Sequence, residues 1–426
     1  MNDIGIFIMA VVFVAINGLT MLAWAAAQGY KMKPTAFAFL VGAVGNLITG
    51  SLTPISGQSS ILTVSHHMKN INQRIAALLL AVVVMVPMGL FGWVTRIAEW
   101  AGTETVFGMM AGVGLMIAFI SIDMLKQAKR TAIISFLSAL GTHALMIHIN
   151  PPPSPESRHN LVWVIAVSVT LATLDFVLLQ KCPETGKRGR RVDIAQMAKD
   201  AGYEGDMAQS EDPKFWTTAY WAEFKFLKPK FTFGAILFAL AFISLNIGTN
   251  LAFGSVTGGF AICDACAAES LTACFHDGYV QNMDHLTVIN SLADIPSILF
   301  GGAPVGAIIS ATAAAPWPVL AGVVMMLLCA LLLLLGLMTK AVKYIPVQAI
   351  AGFLFIIGFF STFVPNLGRA MGYAGPPIDR AYDIAEVASR APMALAALAL
   401  TALTKNPFIG LVGGVLVRWI GSYFGL

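Results

Sequence analysis

Apolar stretches long enough to cross a bilayer recur along this chain, and that recurrence constrains its fold more than any other feature. A spanning helix needs about 20 mostly apolar residues for a hydrocarbon core of about 30 Å. Runs of that kind lie near 4–27, 35–51, 75–95, 106–125, 131–149, 160–179, 231–254, 318–338, 346–364 and 407–425. Shorter or interrupted apolar pieces lie near 53–66, 286–300, 302–315 and 391–404. Charged residues make up 11% of the 426, against roughly 25% in soluble domains. So little charge cannot clothe a water-facing surface, so lipid is the expected solvent and an inner or plasma membrane the expected location. The first run is itself of spanning length, with no small-residue cleavage site, so it reads as a span and not a cleaved leader. A net charge of +4 gives no sign of nucleic-acid binding.

Counted together, the segments number seven, then a polar stretch, then seven more. This predicts an all-α polytopic protein with a first repeat over 1–180, a basic linker over 181–230 and a second repeat over 231–426. The linker carries Lys187, Arg188, Arg190 and Arg191. It ends with Trp216, Tyr220, Trp221 and Phe224 among charges, the pattern of an interfacial amphipathic helix. The third segment of each half is interrupted. One holds Thr53-Pro-Ile-Ser-Gly-Gln-Ser-Ser60, the other Gly301-Gly-Ala-Pro-Val-Gly306 running on to Ser310 and Thr312. Proline removes a helix donor and glycine permits non-helical backbone. Such backbone persists in hydrocarbon only when buried in protein or lining a cavity. Interrupted segments at matching positions of two halves point to a transporter binding site. Half-helix N-termini there would aim backbone N–H dipoles at a polar substrate.

Several of these residues carry a family likeness. Leu245-Asn-Ile-Gly-Thr-Asn250 with Gly254, then Asn290-Ser-Leu-Ala-Asp294, Gly301-Gly-Ala-Pro304 and a helix bounded by Pro318 form one set. Pro54-Ile-Ser-Gly-Gln58 and Gly112-Val-Gly-Leu-Met116 form another. Together they resemble the xanthine/uracil permease family, the nucleobase–cation symporter family 2, and its purine branch most. The resemblance implies seven-plus-seven inverted repeats with short broken segments three and ten, core and gate domains, and a homodimer. It also implies a carboxylate in segment eight and another in segment ten, where this chain has Leu245 and Ser310. The acidic position of segment nine is the neutral Asn290.

What remains at mid-membrane is mostly neutral. Asn246, Thr249 and Asn250 lie at i, i+3 and i+4 and share one helix face, which must point into the bundle. Amides offer both donor and acceptor to a ring bearing N–H and C=O groups; they serve interhelical bonding equally well. Gln58 and Ser59 in segment three, and Gly302, Ala303, Val305 and Ser310 in segment ten, complete the candidate substrate site. Asn17 and Thr20 of the first span are weaker candidates. Asp294 is the candidate group for H+ or Na+ coupling, since a charge at the bilayer centre is costly. Its alternative role is to cap the broken tenth segment through free N–H groups. None of the 26 Lys and Arg falls clearly inside the broken segments. The expected function is transport of a nucleobase or related polar heterocycle, with anion transport of the sulphate permease type as the alternative. No nucleotide-binding motif or catalytic constellation suggests an enzyme, and no cofactor or metal is expected.

Orientation has two readings. The resemblance implies a cytoplasmic N-terminus. Lys and Arg divide 20 to 6 in favour of the membrane side that holds the linker, which the positive-inside rule assigns to the cytoplasm. On an outward-facing loop, two of Cys263, Cys266 and Cys274 would suit a disulfide. On a cytoplasmic one, the three with His276 offer zinc-type ligands in a non-standard spacing.

Overall fold

The computed structural model describes residues 3–57, 70–127, 129–151, 159–180, 192, 220–221, 224–262, 282–371 and 384–424. Gln58, Ser59, the cysteine loop and most of the linker lie outside the described residues. Segments one and two are the helices Asp3–Ala27 and Met32–Thr49. Segment three enters as the short strand β1, Ile55–Gly57. Segments four to seven are Ile71–Leu90, Thr103–Gln127, Lys129–Ile149 and Asn160–Leu179. Segments eight and nine are Phe233–Ile262 and Met283–Leu299, and segment ten enters as β2, Val305–Ala307. Segments eleven to fourteen are Pro318–Leu334, Val347–Ala370, Ile384–Thr404 and Pro407–Phe424. Eight of these helices are long and apolar enough to cross a membrane. The described residues form an all-α polytopic fold in which segments three and ten enter as the short strands β1 and β2.

The helices pack in two groups. Segments one, two, four, eight, nine and eleven surround β1 and β2 and form the core domain. Segments five, six, seven, twelve, thirteen and fourteen form the gate domain. With lipid outside, no hydrophobic gradient drives helices together, so association relies on close packing at small residues. A β-carbon on Gly112 would lie 2.6 Å from the Leu398 carbonyl, and one on Gly114 2.5 Å from the Phe363 amide. The glycine-rich run of segment five is therefore the seam of the gate against segments twelve and thirteen. Between the domains, the Asn406 amide donates to Ser244 Oγ at 3.1 Å, and Gly248 sits against Pro407 at the head of segment fourteen.

Two boundaries differ from the sequence reading. The run 75–95 is not one span. Its helix ends at Leu90, Gly92 turns through a positive φ of 70°, and a separate helix follows at Trp93–Ala101. Asp284 holds the start of that helix, accepting from the amides of Val94 (2.9 Å) and Thr95 (3.3 Å) and from the Thr95 hydroxyl. After β2 there is no half-helix, only a 3₁₀ turn at Ala311–Ala314. Pro316-Trp-Pro318 explains the interruption. A residue before proline is pushed out of the helical region, and Trp317 takes a φ of 51° before Pro318 opens segment eleven.

Candidate functional site

β1 and β2 pair antiparallel in the register Ile55 with Ala307, Ser56 with Gly306 and Gly57 with Val305. All six residues are buried. In a bilayer each N–H and C=O needs a partner, and the two broken segments supply them to each other at the centre of the core. Proline precedes each strand, at Pro54 and Pro304, so the crossing is built from equivalent pieces of the two repeats. Segment one supports β1, with Gly18 closely opposed to the Ser56 hydroxyl and Leu22 packed on Gly57. Segment eight supports the other side through Thr257 Oγ1, which donates to the Ile308 carbonyl at 3.1 Å. The Ile308 amide in turn donates to the Pro54 carbonyl at 3.2 Å.

The helix before each strand also ties it down. Asn46 of segment two donates its side-chain amide to the Thr53 carbonyl at 2.8 Å. Asp294 of segment nine accepts the Val305 amide at 2.8 Å. These residues stand nine and eleven positions before the strands they serve. Asp294 is thus the counterpart of a neutral asparagine and acts here as a cap. Asp294→Asn keeps an acceptor for Val305, so it should leave the melting temperature of the purified protein within a few degrees. Asp294→Ala strands a buried N–H, at a cost of about 1–3 kcal/mol. A large loss of stability in the asparagine variant would contradict the capping role.

The candidate residues divide sharply. Gly302 N–H donates to the Ser297 carbonyl at 2.8 Å, and Ala303 N–H to Thr35 Oγ1 at 2.8 Å. With Val305 bound to Asp294, the entry of segment ten has spent these three amides internally. The expected ring of free backbone donors is therefore not formed there, because the chain enters without a helix and its amides are claimed by segments two and nine. Ser310 caps the 3₁₀ turn, accepting from the Thr312 amide at 3.2 Å with its hydroxyl 2.7 Å from that of Thr312. Asn250 bridges helices, donating to Thr287 Oγ1 at 3.0 Å and accepting from Asn290 Nδ2 at 2.6 Å. Thr249 donates back to the Asn246 carbonyl at 3.3 Å. Asn246 alone of the segment-eight triad presents a half-buried side-chain amide with no hydrogen-bond partner among the described residues. Asn17 in segment one is likewise half-buried with its amide unengaged. The carbonyl oxygens of Asn46 and Asn290 and the Ser56 hydroxyl are buried without a hydrogen-bond partner among the described residues.

Lys33 and Arg74, in segments two and four and outside the broken segments themselves, are buried cations. Lys33 is 1% and Arg74 0% exposed. Arg74 Nη1 donates to the Gln28 carbonyl at 2.7 Å, and its guanidinium lies 5.6 Å from the Tyr30 ring centroid. Lys33 Nζ stands 4.5 Å from the Tyr220 ring centroid. Both flank the entry to segment ten, where the Lys31 amide donates to the Gly301 carbonyl at 2.8 Å. They read as loop charges in the sequence. The signal for Arg74 was Asn70, whose side chain caps the Asn72 amide at 2.9 Å and puts Arg74 inside the first turn of segment four. Asp175 has a structural partner: Arg130 Nη2 reaches it at 2.6 Å, and Gln180 donates to it at 2.8 Å. A cleft of about 300 Å³ beside Asp284 and His285 opens at the opposite end of the core, away from the crossing.

The two broken segments thus meet inside a polytopic helical fold, eight of whose described helices are long and apolar enough to cross a membrane. No protein-family model matches the sequence, and no curated protein matches it. Among solved structures, the transmembrane domain of a cyanobacterium bicarbonate transporter, BicA, aligns over 97% of this chain and 98% of its own. The identity is 13% and the TM-score 0.45.

Proposed function

We propose that this protein is a secondary transporter that moves a small uncharged polar nitrogen heterocycle, a nucleobase or a relative of one, by alternating access. The observation that carries this reading is the buried crossing of β1 and β2 with the unengaged amide of Asn246 on the helix that supports it. An amide without a protein partner satisfies both the N–H and the C=O of a heterocyclic edge. Asn17 on segment one, and Gln58 and Ser59 on segment three, are the proposed further contacts. Leu245 and Ser310 stand where the xanthine/uracil permease resemblance implies carboxylates, so the site is neutral and suits a neutral ring. Asp294 is the buried carboxylate beside the crossing, and any H+ or Na+ coupling acts through it. On this reading 1–180 and 231–426 are the two repeats joined by 181–230, the protein is a homodimer in an inner or plasma membrane, and it has no enzymatic activity.

Anion transport of the sulphate permease type is the second reading, favoured by one observation: the buried cations Lys33 and Arg74 beside the entry to segment ten. Purified protein in liposomes distinguishes the two. Saturable uptake of uracil, xanthine or adenine supports the first. Absence of uptake of every such ring refutes it, and sulphate or chloride flux in its place establishes the second.

A further inference from the structure

The end of the linker is tied to the core by backbone hydrogen bonds and ring contacts. Residues 224–230 form a strap without regular structure across the ends of segments four and nine. The Leu227 amide donates to the Leu299 carbonyl, and the Lys230 amide to the Asn72 carbonyl, each at 3.0 Å. The Phe224 ring lies 5.5 Å from that of Phe37 and 6.5 Å from that of Phe300, and the Phe226 ring 6.0 Å from Phe300. Just before the strap, Tyr220 is buried and its hydroxyl donates to the Leu334 carbonyl at 3.1 Å. The strap is therefore fixed to the core at its inner face.

Its outer face is apolar and basic. Trp221 is 53% exposed, Phe226 59%, Phe231 59% and Phe233 75%. Lys225, Lys228 and Lys230 are exposed between them. None of the three has an ion-pair partner among the described residues. No Asp or Glu occurs from Phe224 to Cys263. Aromatic rings favour the headgroup level of a bilayer, and lysines beside them reach lipid phosphates. On the positive-inside reading, the 20-to-6 division of basic residues places this end of the bundle in the cytoplasmic leaflet, where anionic lipids supply the negative surface potential.

We propose that Trp221 and residues 224–233 are a docking surface for anionic lipid headgroups, gripped by Lys225, Lys228 and Lys230 with the exposed aromatic rings inserted beside them. The strap also touches the broken segment. A β-carbon on Gly301 would lie 2.5 Å from Leu227, so a bound headgroup braces the entry to segment ten from its membrane face. The proposal is independent of what the protein transports.

The test uses the full chain purified in a neutral detergent, with labelled phosphatidylglycerol and phosphatidylcholine as probes. Phosphatidylglycerol should bind about a hundredfold more tightly, and the preference should shrink as salt rises, since exposed charges are screened. At about 1 kcal/mol per lysine near an anionic surface, each contributes about fivefold in affinity. The variant Lys225→Gln/Lys228→Gln/Lys230→Gln should lose about a hundredfold for phosphatidylglycerol and keep its affinity for phosphatidylcholine. The corresponding triple arginine variant should retain the preference. Lys228→Gln alone, with an expected loss of about fivefold, keeps the test decisive if the triple variant does not fold. An unchanged preference for phosphatidylglycerol in a folded glutamine variant overturns the proposal.

Discussion

Asn246→Ala is expected to lower saturable uptake of the heterocycle at least about tenfold in proteoliposomes, while the amount of folded protein stays near wild type. The Asn246 side chain gives no hydrogen bond to its neighbours, so its removal costs the fold little. It would cost the substrate two amide hydrogen bonds at about 0.5–1.5 kcal/mol each, or roughly tenfold to a hundredfold in affinity. Asn250→Ala, one turn further on, has the opposite signature. It deprives Asn290 Nδ2 and Thr287 of their partner between segments eight and nine. Interhelical polar contacts in membranes contribute about 0.6 kcal/mol on average and up to about 1.7. A lower melting temperature is expected, with uptake per folded molecule preserved. Full uptake in the Asn246 variant would remove that amide from the substrate site.

Gly302→Ala is expected to be strongly damaging to the entry of segment ten. The new β-carbon would lie 2.8 Å from the Thr35 amide nitrogen and 2.9 Å from the Ser297 carbonyl oxygen. Both are backbone atoms, so neither retreats by a rotamer change. Relief requires the segment-ten entry to move off segment two, which breaks the bonds from Ala303 to Thr35 and from Lys31 to Gly301. Overpacking alone costs about 1–3 kcal/mol, and each broken buried bond adds to it. The expected result is a sharp fall in monodisperse yield and melting temperature. Gly141→Ala in segment six is the control, because nothing lies within 4 Å of its β-carbon position. There the lost glycine freedom stabilises a helix by about 0.5–1 kcal/mol. Equal behaviour of the two variants would show that the entry is not packed as described.

The sequence by itself determined the spans, because a run of apolar residues has no other stable solvent once charge is this scarce. It also determined which segments break, since Pro54, Gly57, Gly301 and Pro304 forbid regular helix wherever the neighbours lie. It also marked the polar residues at mid-membrane as groups that need partners. What it left open was how each of them is used. Asp294 was the candidate coupling group and Ser310 a candidate substrate contact, and packing sets the first against the Val305 amide and the second against the Thr312 amide. Asn246 and Asn250 are alike in type and face, and only the arrival of Asn290, 40 residues away, separates a bonded amide from an unengaged one. Lys33 and Arg74 count as loop charges until Tyr30 and Tyr220 are brought over them. The pairing of β1 with β2 joins residues 250 apart along the chain. The physical reason is common to all of these. Hydropathy and backbone permissiveness belong to a residue and its immediate neighbours, whereas the satisfaction of a buried polar group depends on what packing sets opposite it, and in lipid no water stands in.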